Sequence, residues 1–159
     1  MITLKPITWE LGHAVEKLRV HESQENYVAS NLWSLAQAFL YSTENDHPPI
    51  IFAICNDKDE PVGFTMTGYW EENEYQNDDE PLYYLWRFMI DKKHQGKGYG
   101  KAAMVEILKH IRTMPLGKAS SIYLSYEPEN EVAKKLYASL GFVETGEIKD
   151  GEAVARLPM

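Results

Sequence analysis

The chain has 159 residues, 44% of them hydrophobic and 12% aromatic, which is enough for one domain with a sizeable core and excludes a disordered polar chain. A formal net charge of −8 and a pI near 5.1 argue against a phosphate-binding nucleic-acid face and permit a cationic partner. The lone cysteine, Cys55, rules out an internal disulfide, and no stretch approaches the ~20 apolar residues of a membrane span. With no signal pattern after Met1, the expected location is the cytoplasm and no membrane partner is expected.

Residues 2–7 alternate apolar and polar and read as a first strand. Thr8 is a helix N-cap, with Leu11, Val15 and Leu18 following at helical spacing. A second helix is expected over residues 25–41, with an apolar face of Val28, Leu32, Leu35, Ala36 and Phe39 broadened by Trp33 and Leu40. Residues 50–56 form an apolar run of strand length, in which Cys55 reads as an inert buried thiol. A turn at 56–60 returns the chain as a strand over 61–70, with Gly63 a bulge candidate.

Residues 71–80 hold six acids and no base, so they read as a solvated loop. The next run, 82–90, is too apolar for a one-faced strand and should be central and covered on both sides. Gln95-Gly96-Lys97-Gly98-Tyr99-Gly100-Lys101 follows, and then a helix with Ala103, Met104, Ile107, Leu108 and Ile111 on one face. Residues 121–125 are a short strand. Residues 127–130 open a helix whose stripe is Val132, Ala133, Leu136, Tyr137 and Leu140, with Gly141 as its C-cap. Residues 142–145 and 152–157 pair as final strands around Lys149-Asp150-Gly151. An α/β fold with a mixed sheet and helices on both faces accommodates that order.

A strand, a glycine-rich turn and a helix start make an anion cradle, because backbone N–H groups converge there and the helix dipole lies behind them. The glycines at 96, 98 and 100 do not fit the dinucleotide spacing. A Walker loop is also excluded: Gly96-x-x-x-Gly100-Lys101 is one residue short, and Ala102 replaces the magnesium-binding Ser or Thr. His13, His21, His47, His94 and His110 lack zinc-type spacing, so no metal is expected.

Gln95-x-x-Gly98-x-Gly100 resembles the acetyl-CoA loop of the GNAT family of N-acetyltransferases. The segment from Asn130 through Tyr137 to Gly141-Phe142 resembles that family's second signature. Within the family the chain is most similar to the bacterial spermine/spermidine (diamine) acetyltransferases. The resemblance implies one GNAT domain over residues 1–159, a mostly antiparallel sheet, and acetyl-CoA as co-substrate. It implies that Gln95, Gly96, Lys97, Gly98, Tyr99, Gly100 and Lys101 hold the pyrophosphate and that Asn130 bonds the cofactor arm. Backbone donors are implied at Phe88, Met89 and Ile90, and Tyr137 is the implied general acid.

Asn130 and Tyr137 lie seven residues apart, about two helical turns and ~10 Å, which puts them on nearly one face. Acyl transfer needs a protonated amine to lose a proton, and it needs a proton for the departing thiolate, which a neutral phenol can supply. A base is harder to find. Some polyamine acetylases of the family carry a glutamate on the central strand, where this chain reads Leu85-Trp86-Arg87-Phe88. The remaining candidates are Glu22 and Glu25 between the first helices, and Glu71, Glu72 and Glu74 in the acidic loop. Glu22, Glu25, Glu72, Glu74 and Trp86 are the candidate acceptor-binding residues, and the expected partner is a small cationic amine. A homodimer is compatible with the sequence. Alternatives are another amine (aminoglycoside-like, amino acid or protein N-terminus) or a non-catalytic acyl-CoA sensor.

Overall fold

The structure, a computed structural model, describes residues 1–72, 75 and 80–159. Strand β1 (Thr3–Pro6) leads to helix α1 (Trp9–Val15), a 3-10 turn (Glu22–Gln24) and helix α2 (Asn31–Glu44). Strands β2 (Ile50–Cys55), β3 (Pro61–Trp70) and β4 (Leu82–Ile90) precede α3 (Tyr99–Arg112). The chain closes with β5 (Ser121–Tyr126), α4 (Glu131–Ala138), β6 (Val143–Lys149) and β7 (Glu152–Pro158). The sheet has seven strands in the order β1-β2-β3-β4-β5-β7-β6. Every neighbouring pair is antiparallel except β4 with β5.

That parallel pair positions the site. It holds only from Leu82 opposite Ser121 to Tyr84 opposite Tyr123. Beyond it β4 stays with β3 while β5 stays with β7, and the two strands open into a wedge. The register of β4 also shifts: Met66 faces Arg87 but Thr67 faces Leu85, so Trp86 is the extra residue of a bulge. Strand parity therefore reverses across Trp86. Tyr83 and Leu85 enter the core beneath α3 and α4, and beyond the bulge Phe88 and Ile90 join that core while Met89 turns to the opposite one.

The larger core joins Ile54, Val62, Leu85, Ile122 and Leu124 to Met104, Ile107 and Ile111 of α3 and Tyr137 of α4. The core on the other face packs Ala53, Phe64, Met66 and Met89 against Val15 of α1 and Ala38 of α2. Gly63 is required by this packing: a Cβ there would overlap the carbonyl oxygen of Met89. The bulge expected at Gly63 falls beside it, where Ile54 faces Gly63 but Cys55 faces Pro61.

Two helices depart from expectation. The second helix begins at Asn31, six residues later than its pattern suggests, because Ser30 accepts from the Trp33 amide and caps it there. It buries Asn31, Ser34 and Ala38, and it leaves Leu32, Trp33, Phe39 and Leu40 between 52% and 68% exposed. Asn31 explains the rotation: its amide donates to the Val15 carbonyl at 2.9 Å, so a polar residue anchors the helix to α1. On α4, Val132 leaves the expected buried stripe and is 72% exposed. That helix starts at Glu131, not within residues 127–130, and ends at Ala138, with Gly141 (φ +95°) beyond it.

Candidate active site

Alternate residues of an antiparallel strand present their N–H groups to opposite sides. The Asp91 amide donates to the Val62 carbonyl of β3 at 2.8 Å, so Met89 and Arg87 also address β3. Phe88 and Ile90 then direct their backbone groups into the wedge, consistent with the Ile90 carbonyl accepting from the Gln95 side chain at 2.9 Å. Of the three residues expected to supply backbone donors, Met89 is the exception. Its amide faces β3 and its side chain is buried between α1, α2 and the sheet.

The turn from β4 to α3 is fixed from below. Asp91, 6% exposed, accepts from the Arg19 amide at 2.9 Å and the Lys93 amide at 3.1 Å. Gln95 exchanges amide hydrogen bonds with Gln24 of the 3-10 turn, at 2.8 and 3.2 Å. Gly96 (φ +73°) and Gly98 (φ +77°) adopt the left-handed conformation natural to glycine, and Gly98 is the N-cap of α3. The first turn of α3 holds no acid, which leaves its dipole uncompensated. Gln95, Gly96 and Gly100 line a cleft of about 700 Å³; Lys97, Gly98, Tyr99 and Lys101 do not line it, the first two and Lys101 being exposed and Tyr99 packing against the larger core.

The cleft follows the wedge. Phe88 and Ile90 form its floor, and Val132, Ala133 and Leu136 of α4 form one wall. Asn130 caps α4 through its carbonyl oxygen, which accepts from the Ala133 amide at 3.2 Å, and its NH2 is not used by the cap. Tyr137, 8% exposed, lies between the rings of Tyr126 and Phe142 at 5.7 and 5.9 Å. Burial, with the charges of Tyr126, Tyr84 and Glu152 adding to it, raises its phenol well above the ordinary value and keeps the proton on at neutral pH.

At the far end the cleft is aromatic and acidic. Trp70, Tyr75, Tyr84 and Trp86 line it, with Trp70 5.4 Å from Tyr84 and 5.9 Å from Trp86, edge-on to each. Tyr75 stacks on Tyr84 at 5.9 Å and on Tyr123 at 4.9 Å. Glu72, Asp150 and Glu152 supply carboxylates. Arg87 also reaches this end, donating to Gln37 and to the Trp86 carbonyl, both at 2.8 Å; desolvation lowers its pKa.

The acids singled out in the sequence divide. Glu72 and Trp86 line the cleft, but Glu22 and Glu25 do not: both are exposed on the segment between α1 and α2. Glu71 is engaged by His47 at 3.2 Å, and Glu74 lies outside the described residues. Three lining residues had no motif to mark them. Tyr84 Oη lies 2.6 Å from Ser125 Oγ, and Ser125 in turn donates to Glu152 Oε2. They come from β4, β5 and β7, so no sequence spacing links them. The only signal was a serine and a glutamate among apolar strand residues.

A mixed sheet split by a parallel wedge, a glycine-capped helix behind it and a phenol in its wall match a class of acyl-transferring enzymes. The match to the family model for acetyltransferase (GNAT) spans residues 12–142. A spermine/spermidine N(1)-acetyltransferase of Bacillus subtilis (strain 168) is 32% identical over 154 residues, covering 96% of this chain and 95% of that one. A probable spermine N(1)-acetyltransferase of Bacillus subtilis subsp. natto matches with the same identity and coverage. Among solved structures, a spermidine N-acetyltransferase of Vibrio cholerae in complex with CoA and spermine superposes with a TM-score of 0.68. It is 19% identical, covering 99% of this chain and 94% of that one. The chain belongs to the acetyltransferase (GNAT) family and is an N-acetyltransferase.

Proposed function

We propose that the protein transfers the acetyl group of acetyl-CoA to a primary amine of spermine, spermidine or a related diamine, by direct attack of the amine on the thioester. The observation that carries this reading is the cleft's far end, where four aromatic rings and three carboxylates, outnumbering the cations Arg87 and Lys149, line one volume. Aromatic faces and carboxylates attract an alkylammonium, and a polyamine offers one at each end. The Bacillus relatives named for spermine and spermidine support the same acceptor.

The donor fits the other half of the cleft. Gln95, Gly96, Lys97, Gly98, Tyr99, Gly100 and Lys101 meet its pyrophosphate with backbone N–H groups and two ammonium groups. The Asn130 amide bonds the arm. The Phe88 and Ile90 amides hydrogen-bond the arm and polarise the thioester carbonyl in this reading. Tyr137 gives its proton to the departing sulfur and regains one from the nitrogen that has just formed the amide.

Thiol release from acetyl-CoA tests the reading with a panel of spermine, spermidine, putrescine, an aminoglycoside, an amino acid and a peptide N-terminus. Spermidine or spermine should accelerate release most. No acceleration by any polyamine would overturn the acceptor assignment. Preference for the amino acid would favour a second reading, in which Arg87 in the cleft wall pairs with an acceptor carboxylate.

A further inference from the structure

An acceptor amine carries a proton at neutral pH, since alkylammonium groups titrate near pH 10. That proton has to leave before nitrogen can attack. Of the acids considered so far, Glu22 and Glu25 do not line the cleft, Glu71 is held by His47, and Glu72 is exposed. Glu152 differs, because it lines the cleft and is hydrogen-bonded inward.

We propose that Tyr84, Ser125 and Glu152 form a proton relay that deprotonates the acceptor amine. Tyr84 Oη is the atom that meets the ammonium, and the Glu152 carboxylate is the terminal acceptor. The proposal rests on the acetyl-transfer reading above and supplies the base that reading lacks.

The direction of the chain follows from its chemistry. A carboxylate only accepts, so Ser125 donates to Glu152. Ser125 has one hydrogen, so the 2.6 Å contact is Tyr84 donating to Ser125. The lone pairs of Tyr84 Oη remain to receive an N–H from the cleft. As the ammonium proton passes to Tyr84, the tyrosine proton moves to Ser125 and the serine proton moves to Glu152. Tyr84 and Ser125 end as they began, Glu152 becomes a neutral acid, and the amine gains its lone pair. The C–N bond then forms, the C–S bond breaks, the sulfur takes the Tyr137 proton, and the second nitrogen proton restores Tyr137. The one proton released overall sits on Glu152, beside the turn at Asp150, and returns from there to water.

Tyr84, Ser125 and Glu152 line the same cleft as Tyr137. The charged and titratable groups facing the relay are Arg87 on β4, Tyr123 and Tyr126 on β5, Tyr137 on α4, Lys149 on β6 and Asp150 in the turn, with Tyr75 stacked on Tyr84.

The test is Glu152→Gln, which keeps the shape and the acceptor oxygen but cannot take the proton. With spermidine at pH 7, kcat should fall ~10²- to 10⁴-fold while acetyl-CoA affinity is unchanged. Without the relay only the unprotonated amine reacts, so the variant's kcat/KM should climb about tenfold per pH unit from pH 7 to 9, while the wild-type profile stays flatter. Tyr84→Phe, which removes one hydroxyl, should reproduce that slope and answers the case in which Glu152→Gln fails to fold. Wild-type kcat and pH profile in both variants would overturn the relay, as would a rate loss equal at every pH. If the wild-type enzyme acetylates no amine, the acetyl-transfer reading falls first and the relay with it.

Discussion

In the proposed reading Tyr137 is the general acid, and its surroundings suit it to that role. Its phenol is raised by burial, so it holds its proton across the neutral range and parts with it only when a thiolate develops nearby. Tyr137→Phe keeps the ring between Tyr126 and Phe142 and removes only the hydroxyl. We expect kcat to fall ~10²- to 10⁴-fold with acetyl-CoA affinity unchanged, measured by thiol release and calorimetry. Gly98 tests the other end of the cleft. A Cβ there meets nothing within 4 Å, and aspartate tolerates the left-handed backbone better than most residues, so Gly98→Asp should fold. Its carboxylate would stand where the proposed reading puts the pyrophosphate, and calorimetry should show acetyl-CoA binding lost.

At the scale of elements, strand order explains why Glu152 and its partners were not legible beforehand. Ser125 and Glu152 meet Tyr84 because β5 lies between β4 and β7, an order that no sequence spacing encodes. What was legible is local. The stripe of α3 is buried at all five expected positions, because a 14-residue helix on a sheet has one way to turn its apolar side inward. The same logic misled on α2. There the buried Asn31 outweighs Leu32 and Phe39, and hydrophobic periodicity does not register a buried amide bonded to a carbonyl. The β3–β4 approach gives this scale its own prediction. Gly63→Ala would force a Cβ against the Met89 carbonyl, so we expect ~1–3 kcal/mol of destabilisation by urea titration. A weaker acetyl-CoA affinity should accompany it, because the same displacement moves the Phe88 and Ile90 amides.

For the whole molecule, alkaline pH is the informative stress. Tyr41, Tyr69, Tyr126 and Tyr137 all titrate above the usual tyrosine value, chiefly because burial penalises the phenolate. A group whose folded pKa lies above its unfolded one contributes stability in full below the unfolded value and loses it as pH rises through the folded value. With an unfolded tyrosine near pH 10, the urea midpoint should hold between pH 7 and 9 and fall beyond about pH 10.

The paired amides of Gln24 and Gln95 carry a consequence for how the substrates bind. One belongs to the 3-10 turn between α1 and α2, the other to the turn proposed to cradle the donor, and both line the cleft, so the two segments share a joint. Thermodynamic linkage makes such a joint symmetric: the factor by which bound CoA changes spermine affinity equals the factor by which spermine changes CoA affinity. Gln24→Ala should bring both factors toward one while leaving each ligand able to bind alone, and paired calorimetric titrations would register the two changes as equal.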